Sequence, residues 1–66
     1  MIDFNPLWNT LKEQKITQYQ LINDYGIDRR LLSALRQNKN ITLLSLEKLC
    51  TILDCTPDKI VSFTKD

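Results

Sequence analysis

The 66 residues contain no histidine, one glycine, two prolines and two cysteines. Without histidine the usual general base near neutral pH is missing. A single glycine cannot build a glycine-rich phosphate loop. The acids Asp24, Asp28, Glu47, Asp54 and Asp58 scatter over predicted caps and turns, and no pair is required to converge. The chain is therefore expected not to be an enzyme, and no cofactor or small-molecule ligand is expected. Two thiols, Cys50 and Cys55, do not make a zinc site without histidine, so no metal is expected. Their spacing places them about 140° apart around a helix, which suits a disulfide poorly, and free thiols in a reducing compartment are expected. No apolar run approaches the roughly 20 residues that span a bilayer. The opening MIDFNPLW has an acid and a proline but no basic n-region, so a signal peptide is not expected and the cytoplasm is the simplest location. No segment alternates with period two for long, which argues against sheet.

What is present reads as helix. Apolar residues make up 42% and charged residues 26% of a chain long enough for one modest core. Asn5-Pro6 is expected to cap and open a first helix, with Leu7, Trp8 and Leu11 as its apolar stripe and Trp8 as a core anchor. Thr42 caps a helix over 43–53, in which Leu46, Leu49, Cys50 and Leu53 recur at i, i+3, i+4 and i+7. Thr56-Pro57-Asp58 starts a short fifth helix through Ile60 and Val61. The tail SFTKD is expected to be extended or frayed, with Phe63 packed. The predicted fold class is all-α, five short helices in one domain over residues 1–66.

The most informative stretch is 17–37, TQYQLINDYGIDRRLLSALRQ. Thr17 and Gln20 have the T-x-x-Q spacing of a capping box, and Ile16 can staple onto Leu21. The helix so started runs to about Tyr25, where Gly26 supplies a left-handed stop. Asp28 then offers a carboxylate to cap a further helix reaching about Asn38, with Leu31, Leu32 and Leu35 facing inward. Arg29, Arg30, Ser33, Ala34, Arg36 and Gln37 remain outside. Long donors and small residues at the start of a helix are what reading a DNA major groove requires. Between Gly26 and Asn40 the four cations Arg29, Arg30, Arg36 and Lys39 oppose only Asp28, although the chain as a whole carries +1. One basic face on a near-neutral domain suits nucleic acid. Arg29 and Arg30 also sit at the positive end of the helix dipole, which is mildly unfavourable until an anion or a guanine edge arrives.

These features together resemble the phage-repressor-like helix-turn-helix group, the Cro/cI or XRE type. The resemblance spans nearly the whole chain: T-Q-x-x-L at the head of the second helix, Y-G-I-D at the turn, and L-E-K-L-C-x-x-L-D-C-T-P-D-K-I at the end. It implies a lambda-repressor-like bundle whose helix-turn-helix unit is 17–37. Leu21, Ile27, Leu32 and Leu35 match the packing positions. Asp28, Arg29, Arg30, Ser33 and Ala34 become the base-contacting set, and Thr17, Gln18, Gln37, Asn38 and Lys39 the DNA-backbone-contacting set. The family usually has alanine where Ile22 stands, because the two helices cross closely there, and a branched side chain is expected to widen the crossing.

The function this implies is a sequence-specific regulator of transcription acting on double-stranded DNA, a repressor. The alternative is a protein-interaction module of the same fold, an antitoxin or adaptor in which Arg29 and Arg30 meet an acidic partner. Apolar residues left over in the second half, Leu43 or Leu44, Ile52, Val61 and Phe63, suggest a weak homodimer.

Overall fold

The computed structural model describes residues 1–65. Its elements are β1 (Ile2–Asp3), α1 (Asn5–Gln14), α2 (Gln18–Asn23), α3 (Arg29–Arg36), α4 (Leu43–Leu53), a 3-10 turn at Pro57–Lys59, and β2 (Ser62–Phe63). Ten apolar side chains form the core, among them Leu7, Leu21, Leu32, Leu35, Leu49 and Ile60 with no exposed surface. Trp8, Ile22, Leu31 and Leu46 pack against it half-buried.

Three of the five expected caps form with side-chain oxygens. The Thr17 hydroxyl accepts from the Gln20 N–H while the Gln20 side chain accepts from the Thr17 N–H, a complete capping box. The Asp28 carboxylate accepts from the Arg30 N–H, and the Thr42 hydroxyl from the Ser45 N–H. The two proline starts behave otherwise. Phe4, not Asn5, is the N-cap of α1; Asn5 is already helical, and its N–H donates to Asp3 Oδ1 at 2.9 Å. At Thr56 the hydroxyl donates to the Asp58 carboxylate and caps no backbone N–H. The fifth helix is accordingly one 3-10 turn, closed by Lys59 N–H to the Thr56 carbonyl at 3.0 Å.

The turn is short because the chain must extend at once. Ser62–Phe63 pairs antiparallel with Ile2–Asp3, Ile2 opposite Phe63 and Asp3 opposite Ser62. This two-stranded sheet joins the two ends of the chain, so the tail is extended rather than frayed through Phe63. Phe63 does not pack as expected: it is 79% exposed. Asp66, the last residue of that tail, lies outside the described residues. Three side chains tie the distant parts together. Asn38 Oδ1 accepts from the Phe4 N–H at 2.9 Å, the Thr10 hydroxyl donates to the Lys59 carbonyl at 2.7 Å, and Gln14 Nε2 donates to the Leu53 carbonyl at 2.7 Å.

Candidate nucleic-acid interface

The α2–turn–α3 unit is assembled by its own termini. α2 stops at Asn23, two residues earlier than expected, and Gly26 turns the chain with φ +71°. The N–H of Ile27 reaches back to the Leu21 carbonyl at 2.9 Å, and both side chains are buried, which fixes the angle at which α3 leaves. α3 buries Leu32 and Leu35 and turns its other face outward.

On that face Arg29 and Arg30 are exposed in the first turn, and Ser33 and Ala34 form a half-buried floor one turn on. Asp28 holds the helix start, since one carboxylate oxygen is committed to the Arg30 N–H at 2.8 Å. Ser33 Oγ accepts from Gln37 Nε2 at 2.9 Å. Asn38 adopts a left-handed φ of 55°, and its side-chain oxygen is taken by Phe4, leaving Nδ2 as its outward donor. Lys39 is exposed beyond it, its N–H bonded to the Ala34 carbonyl at 2.9 Å. α3 therefore ends at Arg36, and Gln37–Lys39 form a turn at its end.

One contact joins the two groups of candidate residues. Arg36, at the C-terminal end of α3, donates from Nε and Nη2 to the single oxygen Oε1 of Gln18, at 2.8 and 2.5 Å. Gln18 stands at the head of α2, so this fork ties the far ends of the unit together. It also leaves the Gln18 amide with only its NH2 group to offer outward. Arg36 lies on the outer face of α3 in the sequence pattern, but nothing in that pattern pairs it with Gln18: the contact spans 18 positions and depends on how the helices cross.

The apolar surplus is divided. Leu43, Leu44 and Phe63 are 83%, 74% and 79% exposed, whereas Ile52 and Val61 are half-buried against the core. Val61 and Phe63 share an apolar groove of about 190 Å3 with Ile2, Ile41, Leu43 and Leu46. Leu44 and Ile52 do not line it. No helix among the described residues is long and apolar enough to cross a membrane.

A capped helix, a left-handed glycine turn and a second helix with a basic outer face define a helix-turn-helix DNA-binding domain. Residues 6–66 match the Cro/C1-type HTH DNA-binding domain, and the chain belongs to that family. Its fold is shared by the crystal structure of the transcriptional regulator VanUg, with a TM-score of 0.89 and 23% identity over 98% of this chain and 87% of that one. No curated protein sequence matches the chain.

Proposed function

We propose that this chain is a sequence-specific regulator of transcription, a repressor, that reads double-stranded DNA with α3 in the major groove. The observation that carries this reading is the first turn of α3. Two exposed arginines crowd the positive end of a helix dipole beside the half-buried Ser33 and Ala34, so long donors reach out while the helix itself can approach closely. Arg29 and Arg30 reach base edges, with Asp28, Ser33 and Ala34 lining the contact. Thr17, Gln18, Gln37, Asn38 and Lys39 flank it and grip the phosphates, which set register without reading sequence. Arg36 supports the second group by holding Gln18 Oε1, so that the amide NH2 faces the backbone. Working on DNA makes its setting the cytoplasm.

One helix reads few base pairs, and each mismatch costs only about 1–3 kcal/mol. Two copies on half-sites one helical turn apart would double the discrimination. The exposed Leu44 and Phe63, with the half-buried Ile52 and Val61, support a weak homodimer that forms fully on DNA.

Selection of bound sequences from a random duplex pool, repeated across a salt series, tests the function. A recovered inverted repeat with affinity falling steeply as salt rises is the expected result. A chain that enriches no sequence and ignores salt would instead be an interaction module, with Arg29 and Arg30 meeting an acidic protein.

A further inference from the structure

α4 does not fray at its end. Asp54 is left-handed, with φ 50° and ψ 55°, and the N–H of Cys55 donates to the carbonyl of Cys50 at 3.0 Å. This is the six-to-one bond of a Schellman turn, which folds the residue beyond the turn back over the last helical turn, usually to make an apolar contact. Here the two residues brought together are both cysteines, Cys50 and Cys55. The 140° separation holds only for two positions on one continuous helix, and Cys55 has left the helix. A disulfide needs Cα atoms roughly 4.4–6.8 Å apart, and the N–H···O=C bond from Cys55 to Cys50 holds the two main chains close together. Both thiols are free and half-buried. Cys55 also lines an open cavity of about 350 Å3 with Thr10, Glu13, Gln14, Asp54, Thr56 and Lys59.

We propose that Cys50 and Cys55 close a reversible intramolecular disulfide on reaction with a small diffusible disulfide, making the end of α4 a covalent modification site. The Cys55 thiolate attacks one sulfur of the disulfide RSSR, forming a mixed disulfide and releasing one RSH, which takes the proton that Cys55 gave up. The Cys50 thiolate then attacks the Cys55 sulfur of that mixed disulfide and displaces the second RSH. The two protein thiols lose two electrons and two protons, and RSSR gains both. Excess RSH reverses each step.

Burial first, then the adjacent Cys50, raises the Cys55 thiol above its ordinary value, with Asp58 and Asp54 adding to the shift. Glu13 and Lys59 complete the charged groups around the cavity. Entry is thus slow at neutral pH and quickens as pH rises through the thiol's range. The disulfide would stiffen a joint that Gln14 already holds through the Leu53 carbonyl and Thr10 through the Lys59 carbonyl. The oxidised chain should therefore melt at a higher temperature.

The test is equilibration of the whole protein in mixtures of reduced and oxidised glutathione, native and in urea, followed by intact mass and tryptic mapping. Both cysteines fall in the peptide 49–59. The expected product has lost two hydrogens, carries an internal bond in that peptide, and forms with a constant at least about tenfold greater in the native chain than in the unfolded one. In the Cys50→Ser variant the second step is blocked, and one glutathione adduct should remain on Cys55. Equal constants in the two states would overturn the proposal, because the fold would then contribute nothing to closure. Separate glutathione adducts on both cysteines, or bridges between chains, would overturn it equally. A Cys50→Ser chain with no adduct on Cys55 would rule out entry through the cavity.

Discussion

At the scale of residues, four helix ends are closed by left-handed backbone, and only one of them uses glycine. Lys15, Gly26, Asn38 and Asp54 have φ of 59°, 71°, 55° and 50°. Asparagine and aspartate tolerate this region through local hydrogen bonds, but lysine does not. Lys15→Gly should therefore raise stability by up to about 1 kcal/mol, the relief being partly offset by glycine's greater unfolded freedom. A denaturant midpoint that falls instead would contradict the argument. At Gly26 an added Cβ would meet nothing within 4 Å, so the cost of substitution is backbone strain and not a clash. Gly26→Ala should lose about 1–2 kcal/mol, Gly26→Asn less, and Gly26→Val more because of its branched side chain. An alanine variant as stable as the asparagine one would show that strain is not the cause. On the outer face, Arg29→Ala and Arg30→Ala should each weaken specific binding by about 1–3 kcal/mol and relax the selected motif. Gln18→Ala should weaken all sequences alike. Because Arg36 acts through Gln18, Arg36→Ala should add little to Gln18→Ala; fully additive losses in a double-mutant cycle would separate the two.

At the scale of elements, the starts divide by chemistry. Thr17, Asp28 and Thr42 accept backbone N–H groups, while Asn5 and Thr56 do not. Asp28→Ala and Thr42→Ala should each cost about 1 kcal/mol, and Asn5→Ala much less, as thermal melts would show. Equal losses at all three would mean the side-chain caps are not what holds the starts. The Thr56 hydroxyl instead holds the Asp58 carboxyl below its ordinary range. A lowered folded value stabilises above the unfolded one, and that contribution disappears as pH falls through the folded value. The Thr17 capping box, the Gly26 stop and the bounds of α4 were legible because each is decided within a few residues of chain. The fifth helix misled because cap, proline and acid mark a start but say nothing of length. Its end is imposed by the strand that follows.

At the scale of the molecule, Asn38 joins the end of the helix-turn-helix unit to the start of α1 through Phe4. Asn38→Ala should lose both that bond and the easy left-handed backbone, about 2 kcal/mol together, with the melt as the measure. For assembly, sedimentation over a concentration series should show mostly monomer alone and two copies on a duplex carrying an inverted repeat. A strict monomer binding one half-site at full affinity would exclude the dimer.

The sequence by itself determined the first four helices, the turn at Gly26, the inward leucines and the basic outer face of α3. Those depend on periodicity, capping chemistry and local charge, all of which act over one or two turns. Tertiary structure alone decided the pairing of Ile2–Asp3 with Ser62–Phe63, the exposure of Phe63, the grip of Arg36 on Gln18 and the return of Cys55 to Cys50. Two-residue strands have no period to read, and residues 18 positions apart meet only where helices cross. Cys55 folds back onto Cys50 because one residue, Asp54, takes a left-handed turn that aspartate permits but does not announce.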